Sequence, residues 1–160
     1  AFQRKLAGHR HPLLCANLRR TDGFRPLPPT IVLDLQGMNI GVFGVSVAMV
    51  TDRMKTRFAS AYRWDPPVAV AIETARALRP EVDLLIALTH IGHRQDKELA
   101  EACPEIDVIF GGHSHTILEK TDQVNGVWIA QGGSHARYFG YYIWEGGVLQ
   151  GGLVPMRASA

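Results

Sequence analysis

The chain has 160 residues, of which 46% are hydrophobic and 20% are charged, as in an ordinary soluble domain with one core. Its 17 Lys and Arg residues are scattered among 15 Asp and Glu residues, and the net charge of +2 argues against binding to nucleic acid. Its apolar runs all fall short of the ~20 residues that a transmembrane helix needs, so we expect no membrane span.

The first part of the chain predicts a helix end followed by strands. Residues 2–8 are interpreted as the end of a helix, and the apolar residues 12–16 as a short buried strand. Residues 30–36 and 39–47 are rich in β-branched side chains. With a Gly-Met turn between them, these two runs predict a hairpin.

A helix is predicted after an irregular stretch. Residues 50–65 mix aromatic and charged side chains without a period, as in a loop that reaches a substrate or one that crosses the surface. Pro66 and Pro67 then begin a helix that extends to Leu78, because its apolar residues recur at helical spacing. Pro80 ends that helix.

Two strands in the second half each lead to a histidine. Residues 82–90 and 106–115 each contain an unbroken apolar run before the histidine, and between them Asp96 is expected to cap a short helix that extends to Cys103. This order of strand, helix and strand predicts parallel neighbours that are buried on both faces.

The rest of the chain predicts short antiparallel strands joined by glycine turns. These strands are residues 116–120, 127–131, 138–144 and 148–155. Together with the parallel unit, they place the chain in the α/β class with sheets in its interior.

Three histidines follow the predicted parallel strands. His90 follows the first strand, and His113 and His115 follow the second, after a Gly-Gly pair that allows a tight turn. Ligands of open α/β sheets sit beyond such strand ends, and imidazole is the commonest protein ligand for borderline divalent metals. A single histidine after a strand is more often a hydrogen-bonded structural residue. Three histidines at two consecutive strand ends favour a metal site.

Two motifs carry a resemblance to a known family. Residues 88–92 are Leu-Thr-His-Ile-Gly, with an aspartate six residues after the histidine, and residues 107–116 are Asp-Val-Ile-Phe-Gly-Gly-His-Ser-His-Thr. These motifs resemble the last two metal-binding motifs of calcineurin-like metallophosphoesterases of the 5′-nucleotidase branch. Residues 12–18 resemble the strand after that family's Gly-Asn-His-Glu motif, and residues 131–133 and 140–142 resemble the strands that close its catalytic domain.

The resemblance implies part of an αββα sandwich with mixed sheets and a hydrolase of phosphate esters, of the 5′-nucleotidase or cyclic phosphodiesterase type. It makes His90 and His113 ligands of one metal ion and His115 a ligand of a second. In the family, two divalent ions polarise the phosphate and supply a hydroxide for in-line attack; the sequence does not distinguish Mn, Zn, Fe, Ni and Co. The expected partner is a small phosphate ester or a nucleotide.

The family's other metal-binding motifs are missing from the sequence. Asp-x-His, Gly-Asp and Gly-Asn-His do not occur in residues 1–160. We therefore interpret the chain as the C-terminal portion of the catalytic domain, without the N-terminal metal motifs and without the C-terminal nucleotide-binding domain. No catalytic residue is expected within it. Three neutral imidazoles do not offset the charge of two divalent ions, so we expect at most one weakly bound ion and little or no activity.

Four further residues each have a structural and a functional interpretation. His93 either contacts phosphate or lies on the surface, and Ser114 bonds either phosphate or a backbone group. Asp96 is expected to cap its helix instead of binding metal. His135 follows a glycine turn and is a further candidate for the cleft.

Two other functions stay open on the sequence alone. The chain could be a non-catalytic binding or assembly module with a vestigial histidine site, or a half-domain that completes its site with a second polypeptide. A sheet without the family's first strands is expected to expose an apolar face or edge. A dimer or a partner chain would cover such a face.

Overall fold

The structure is a computed structural model, which describes residue 8 and residues 10–48 and 61–156. Residues 2–7 of the predicted helix end and residues 50–60 of the irregular stretch lie outside these ranges. Within the described ranges, no helix has both the length and the apolar character that crossing a membrane requires.

The described residues form ten strands and two α-helices. In chain order these elements are β1 (Leu18–Arg20), β2 (Thr30–Leu35), β3 (Met38–Ser46), β4 (Tyr62–Trp64), α1 (Pro67–Leu78), a 3₁₀ turn (Arg79–Glu81), β5 (Leu84–His90), α2 (His93–Ala102), β6 (Val108–Phe110), β7 (Asp122–Val124), β8 (Val127–Ala130), β9 (Tyr138–Glu145) and β10 (Val148–Pro155). This mixture of helix and sheet confirms the α/β class.

Six strands form one mixed sheet in the order β2-β3-β5-β6-β8-β7. The strands β3, β5, β6 and β8 run parallel, and β2 and β7 add antiparallel edges. The register pairs Ser46 with His90 and Leu88 with Phe110. The predicted parallel pairing of β5 and β6 is therefore confirmed, and the carboxyl ends of these strands meet at one edge of the sheet.

The predicted hairpin is β2-β3, and its turn lies one residue earlier than expected. Leu35 pairs with Met38, so the turn is Gln36-Gly37. Both turn residues have positive φ, 57° for Gln36 and 85° for Gly37, as in a two-residue type I′ turn. The twist of this turn type matches the twist of the strands, and it therefore closes the hairpin without splaying them.

Helices α1 and α2 cover one face of the sheet. As predicted, α1 begins at Pro67 and ends at Leu78, before the turn that contains Pro80. Proline suits the first position of a helix, because an N–H group there would have no partner within the helix. Residues from both helices and four strands form a fully buried apolar core between the layers. They include Ala71, Ala75, Leu99, Ala100, Phe43, Leu85, Ile109 and Ile129.

The β9-β10 hairpin covers part of the other face. Its side chains Tyr142, Trp144 and Leu149 pack in one cluster with Leu84 and Val108 of the large sheet. Alternate side chains of β9 form an exposed apolar row, because successive residues of a strand point to opposite faces. The row consists of Phe139, Tyr141 and Ile143, each at least 50% exposed. The expected exposed apolar sheet face is found on this outer side of the hairpin.

The prediction of a strand at residues 12–16 is wrong. Cys15 and Ala16 are buried, as expected, but their backbone N–H groups donate to the carbonyl oxygens of Pro28 and Gly44, which belong to two different segments. These two residues therefore do not pair with a single neighbouring strand. The first strand in this region is β1.

The region after β6 also departs from the prediction. Residues 116–120 form no strand, and only an isolated bridge pairs Ile117 with Gly132. His113 and His115, just before this stretch, have left-handed backbone. The chain therefore turns here instead of continuing as an extended strand. The predicted antiparallel pairing is confirmed for β7 with β8 and for β9 with β10, but β8 also pairs in parallel with β6, which the sequence did not predict. The connection from Phe110 to Val127 is long enough for a parallel crossover.

Candidate metal centre

The candidate site lies at the edge of the sheet where β5 and β6 end. His90 is the last residue of β5. β6 ends at Phe110, and the chain continues into residues 111–116, which we call the histidine loop. This loop carries His113 and His115. Both histidine motifs therefore reach the same edge of the sheet.

His90 and His113 are in contact. Their ring centroids lie 5.1 Å apart, and the ring planes are inclined at 69°. Gly112 lets the loop approach this closely, because a Cβ on Gly112 would lie 3.0 Å from Nδ1 of His90. Two imidazoles that bind one ion through bonds of about 2.1 Å have centroids about 5 Å apart. The observed spacing suits a pair of ligands to one ion.

The surroundings of His90 favour its neutral form. Partial loss of hydration at the sheet edge lowers its pKa below the usual value, and the neighbouring His113 and His115 lower it further. A neutral imidazole has one nitrogen lone pair free to bind a cation, whereas a protonated imidazole has none. His90 is therefore suited to metal binding near neutral pH.

His115 lies beside another histidine. Its ring packs on the ring of His135, with centroids 5.9 Å apart and planes inclined at 73°. Within the described residues, no three His, Cys, Asp or Glu side chains are grouped as ligands of one ion. The structure thus brings His90 and His113 together, places His115 close enough to lower the pKa of His90, and adds His135 to the same neighbourhood.

The histidine loop has an unfavourable backbone conformation at both histidines. His113 has a φ of 75° and His115 a φ of 56°, in the left-handed region that residues other than glycine rarely adopt. Such residues cost on the order of 1 kcal/mol each and persist only where their surroundings hold them. The loop therefore requires partners that keep it in place.

Gln131, which follows β8, provides such partners. It is 3% exposed. Its Nε2 donates to the carbonyl oxygen of Gly112 at 2.9 Å, and its Oε1 accepts from Oγ of Ser114 at 2.9 Å and from the backbone N–H of Thr116 at 2.7 Å. This role is not evident from the sequence, since the partners of Gln131 lie 15 to 19 positions away in the chain. A polar residue at the end of an apolar strand was the only signal.

Ser114 and His93, the two candidate substrate-binding residues, both have partners within the protein. Oγ of Ser114 donates to Gln131, accepts from the backbone N–H of His93 at 3.1 Å, and lies 2.8 Å from Oγ1 of Thr116. Nε2 of His93 lies 3.4 Å from Oδ2 of Asp122. These contacts favour the structural interpretation of Ser114, and they place His93 in a partly buried position instead of a free surface one.

Asp96 is not the helix cap that the sequence predicted. α2 begins at His93, and the backbone N–H of Asp96 already donates to the carbonyl oxygen of Gly92. The carboxyl group is fully buried, and its Oδ1 accepts a hydrogen bond of 2.6 Å from Oγ1 of Thr89. Burial raises the pKa of Asp96 to about 6, although the bond from Thr89 opposes this rise. Asp96 thus joins α2 to the end of β5, next to His90.

The first glycine of the loop makes room for this carboxyl group. A Cβ on Gly111 would lie 2.3 Å from Oδ2 of Asp96. The two consecutive glycines therefore have different roles. Gly111 accommodates Asp96, whereas Gly112 accommodates His90.

The donor atoms fit part of a site for a divalent transition metal. Neutral imidazole nitrogens suit borderline divalent ions, and His90 and His113 have the spacing of a ligand pair. In the described part of the chain, no third His, Cys, Asp or Glu completes this pair. The pair fits one ion, and a complete centre requires further ligands.

Comparison with known proteins finds relatives of the same kind. No family model matches the chain. It is 33% identical over 134 residues, or 81% of its length, to the uncharacterized metallophosphoesterase YunD of Bacillus subtilis. It is 36% identical over 99 residues, or 61% of its length, to the trifunctional nucleotide phosphoesterase YfkN of the same organism. The chain spans 28% of the length of YunD and 7% of the length of YfkN.

A solved structure shares the fold. A 5′-nucleotidase precursor from Thermus thermophilus matches 96% of this chain with a TM-score of 0.79 and 19% identity, and the chain covers 35% of that protein. This likeness concerns the fold, and the relatives from Bacillus subtilis add the similarity in sequence. The chain is homologous to part of the calcineurin-like metallophosphoesterases, in the branch that contains the 5′-nucleotidases.

Proposed function

We propose that this chain is part of a metallophosphoesterase that hydrolyses phosphate esters, with nucleotides as the substrate class. The observation that carries the proposal is the contact between His90 and His113 at the ends of two neighbouring parallel strands. The names of the relatives support the class of reaction, because YfkN is a nucleotide phosphoesterase and YunD a metallophosphoesterase. The reaction would be that of a 5′-nucleotidase or a cyclic phosphodiesterase.

In this proposal His90 and His113 hold one divalent ion, and His115 is a ligand of a second. The lowered pKa of His90 supports its role, since its lone pair stays available. The position of His115, beside His135, supports a role apart from the first pair. When bound, divalent ions offset the charge of a phosphate ester and lower the pKa of nearby water toward neutrality. The three histidines of this chain would hold these ions in place.

The chain by itself is proposed to bind at most one ion weakly and to be inactive or nearly so. Neutral imidazoles carry no negative charge to offset two divalent cations. The buried carboxyl group nearest the histidine loop, that of Asp96, is bonded to Thr89. We therefore assign residues 1–160 to the C-terminal portion of the catalytic domain. The carboxylate ligands and the nucleotide-binding domain would come from outside these residues, as the greater length of the relatives allows.

Metal binding by the chain is the first test. Co²⁺ titration, followed by visible absorption, should show weak binding that His113→Asn weakens by at least about tenfold, since even the partners of metal ligands contribute that much. His11→Asn is the matched control, because His11 is an exposed histidine outside the loop. Equal Co²⁺ binding by the His113→Asn variant and the unaltered chain would refute the assignment of the ligand pair.

Hydrolysis of AMP and of bis(p-nitrophenyl) phosphate with added Mn²⁺ is the second test. The chain alone should not exceed the rate with Mn²⁺ alone. A longer protein that contains this chain together with the family's carboxylate motifs should hydrolyse one or both esters and lose that activity with His113→Asn. If such a protein bound two ions but hydrolysed neither ester, the non-catalytic binding module would be the better interpretation.

A further inference from the structure

We propose that Gln131 is a positioning residue of the metal centre, which holds the histidine loop so that His113 and His115 present their rings at the sheet edge. This inference rests on the proposed function, since it concerns the same centre. It assigns a role to a buried amide that would bind neither the metal nor the substrate itself.

Three hydrogen bonds join Gln131 to the histidine loop. Gln131 bonds Gly112, Ser114 and Thr116, which are alternate residues of the loop. Each histidine therefore lies between two residues that Gln131 holds. The histidine rings meet other partners, His90 in one case and His135 in the other.

The backbone conformation of the histidine loop also requires fixed partners. Both histidines have left-handed backbone, and a loop without fixed partners would relax toward more favourable φ values. The backbone N–H of Thr116 follows His115 directly, and the carbonyl oxygen of Gly112 precedes His113 directly. Gln131 bonds both groups and so constrains the backbone on either side of the unfavourable stretch.

The chemistry of the amide group explains why the residue is a glutamine. The carbonyl of Gly112 can only accept a hydrogen bond, and the N–H of Thr116 can only donate one, so the partner needs a donor and an acceptor together. A glutamate would keep the acceptor and lose the donor. A leucine would lose both and leave the loop groups without this partner.

Co²⁺ titration of Gln131 variants tests the proposal. Gln131→Leu should weaken Co²⁺ binding by about tenfold or more, the size that is typical of partners of metal ligands, and Gln131→Glu by less. Val127→Ala is the control for stability, because Val127 is fully buried at the other end of β8. It should lower the midpoint of thermal unfolding without changing Co²⁺ binding. Gln123→Leu, at an exposed glutamine of β7, should change neither quantity.

NMR without metal provides a second readout. The ring resonances of His113 and His115 should shift in Gln131→Leu and stay unchanged in Val127→Ala, and the amide of Thr116 should exchange faster only in the former. Should Gln131→Leu not fold, Gln131→Glu takes its place in both measurements.

The outcomes separate this inference from the proposed function. Unchanged Co²⁺ binding and ring resonances in the Gln131 variants would overturn the positioning role and leave the metal centre standing. Equal loss of Co²⁺ binding in Val127→Ala would also overturn it, because Gln131 would then act through stability alone. If the unaltered chain bound no Co²⁺, the same titration of the longer protein that contains the family's carboxylate motifs would decide the metal centre, and the ring resonances would decide the role of Gln131.

Discussion

The middle of the large sheet and its carboxyl edge are stabilised in different ways. In the middle, Leu85, Ile109 and Ile129 are fully buried among apolar neighbours beneath the helices. At the edge, β6 continues into the glycine-rich histidine loop, which the buried side chain of Gln131 holds by hydrogen bonds. The buried carboxyl group of Asp96 packs closely against Gly111 of the same loop. Changes in the middle should therefore alter the free energy of unfolding, whereas changes at the edge should also alter the geometry of the histidines.

The largest expected effect on stability lies in the middle of the sheet. Leu85→Ala removes a fully buried side chain from the centre of the core and should lower the free energy of unfolding by about 2 to 5 kcal/mol. Urea unfolding, followed by circular dichroism, measures this loss. The Co²⁺ affinity of the folded fraction should stay unchanged. A loss of Co²⁺ affinity as large as that in His113→Asn would show that the two regions are not separate.

The next effect concerns the buried carboxyl group at the edge. The pKa of Asp96 is raised from 3.8 to about 6 in the folded chain, so the folded state binds the proton more tightly than the unfolded state. The contribution of Asp96 to stability is therefore most favourable below pH 3.8 and is lost as the pH rises through about 6. The loss should amount to about 3 kcal/mol at most, from 1.36 kcal/mol per pKa unit.

Asp96→Asn tests this dependence. The amide keeps an oxygen for the hydroxyl of Thr89 but has no proton to lose in this range. Between pH 4 and 7, the free energy of unfolding of the variant should fall less with pH than that of the unaltered chain. Parallel pH profiles of the two proteins would contradict the raised pKa.

The regular part of this fold was predictable because its signals are local. The helical spacing of apolar residues in α1 and the β-branched runs of β2 and β3 each lie within one element. The parallel pairing of β5 and β6 followed from the helix between them. The position of His90 at a strand end followed from the same local pattern.

The support of the site was not predictable, because it depends on contacts between distant residues. Aspartate is a residue type that is common at helix N-caps. The burial and the role of Asp96 nevertheless depend on Thr89 and Gly111, which belong to other elements. Gln131 bonds a loop that lies 15 to 19 positions earlier in the chain. The contact between His115 and His135 likewise requires the path of the chain after β8, which no period in the sequence specifies.

A pair of glycine substitutions tests the close packing at the edge. Gly111→Ala would place a methyl group 2.3 Å from Oδ2 of Asp96, inside the normal contact distance. Since this carboxyl group is buried, we expect a loss of about 1 to 3 kcal/mol in the free energy of unfolding, together with weaker Co²⁺ binding. Gly132→Ala is the control, because its nearest neighbour would be a methyl group of Leu153 at 3.7 Å. Equal effects of the two substitutions would contradict the role of Gly111.

The smallest expected effect distinguishes two residues that share a left-handed backbone conformation but have different roles. Gln36 in the β2-β3 turn and His113 in the histidine loop both have positive φ, 57° and 75°. Asparagine tolerates this conformation better than either residue, so Gln36→Asn should raise the free energy of unfolding by about 0.5 kcal/mol and leave Co²⁺ binding unchanged. The same residue at position 113 would relieve similar strain but remove a proposed ligand.

Urea unfolding and Co²⁺ titration of the two variants measure strain and binding separately. No gain in stability from Gln36→Asn would show that its left-handed backbone carries no strain that asparagine can relieve. A gain from Gln36→Asn, combined with loss of Co²⁺ binding only in His113→Asn, would indicate that the strain of the turn is incidental, whereas that of the loop accompanies metal binding. The imidazole nitrogen atoms of His113, which are proposed to bind the metal, would then explain why a histidine occupies a position with an unfavourable backbone conformation.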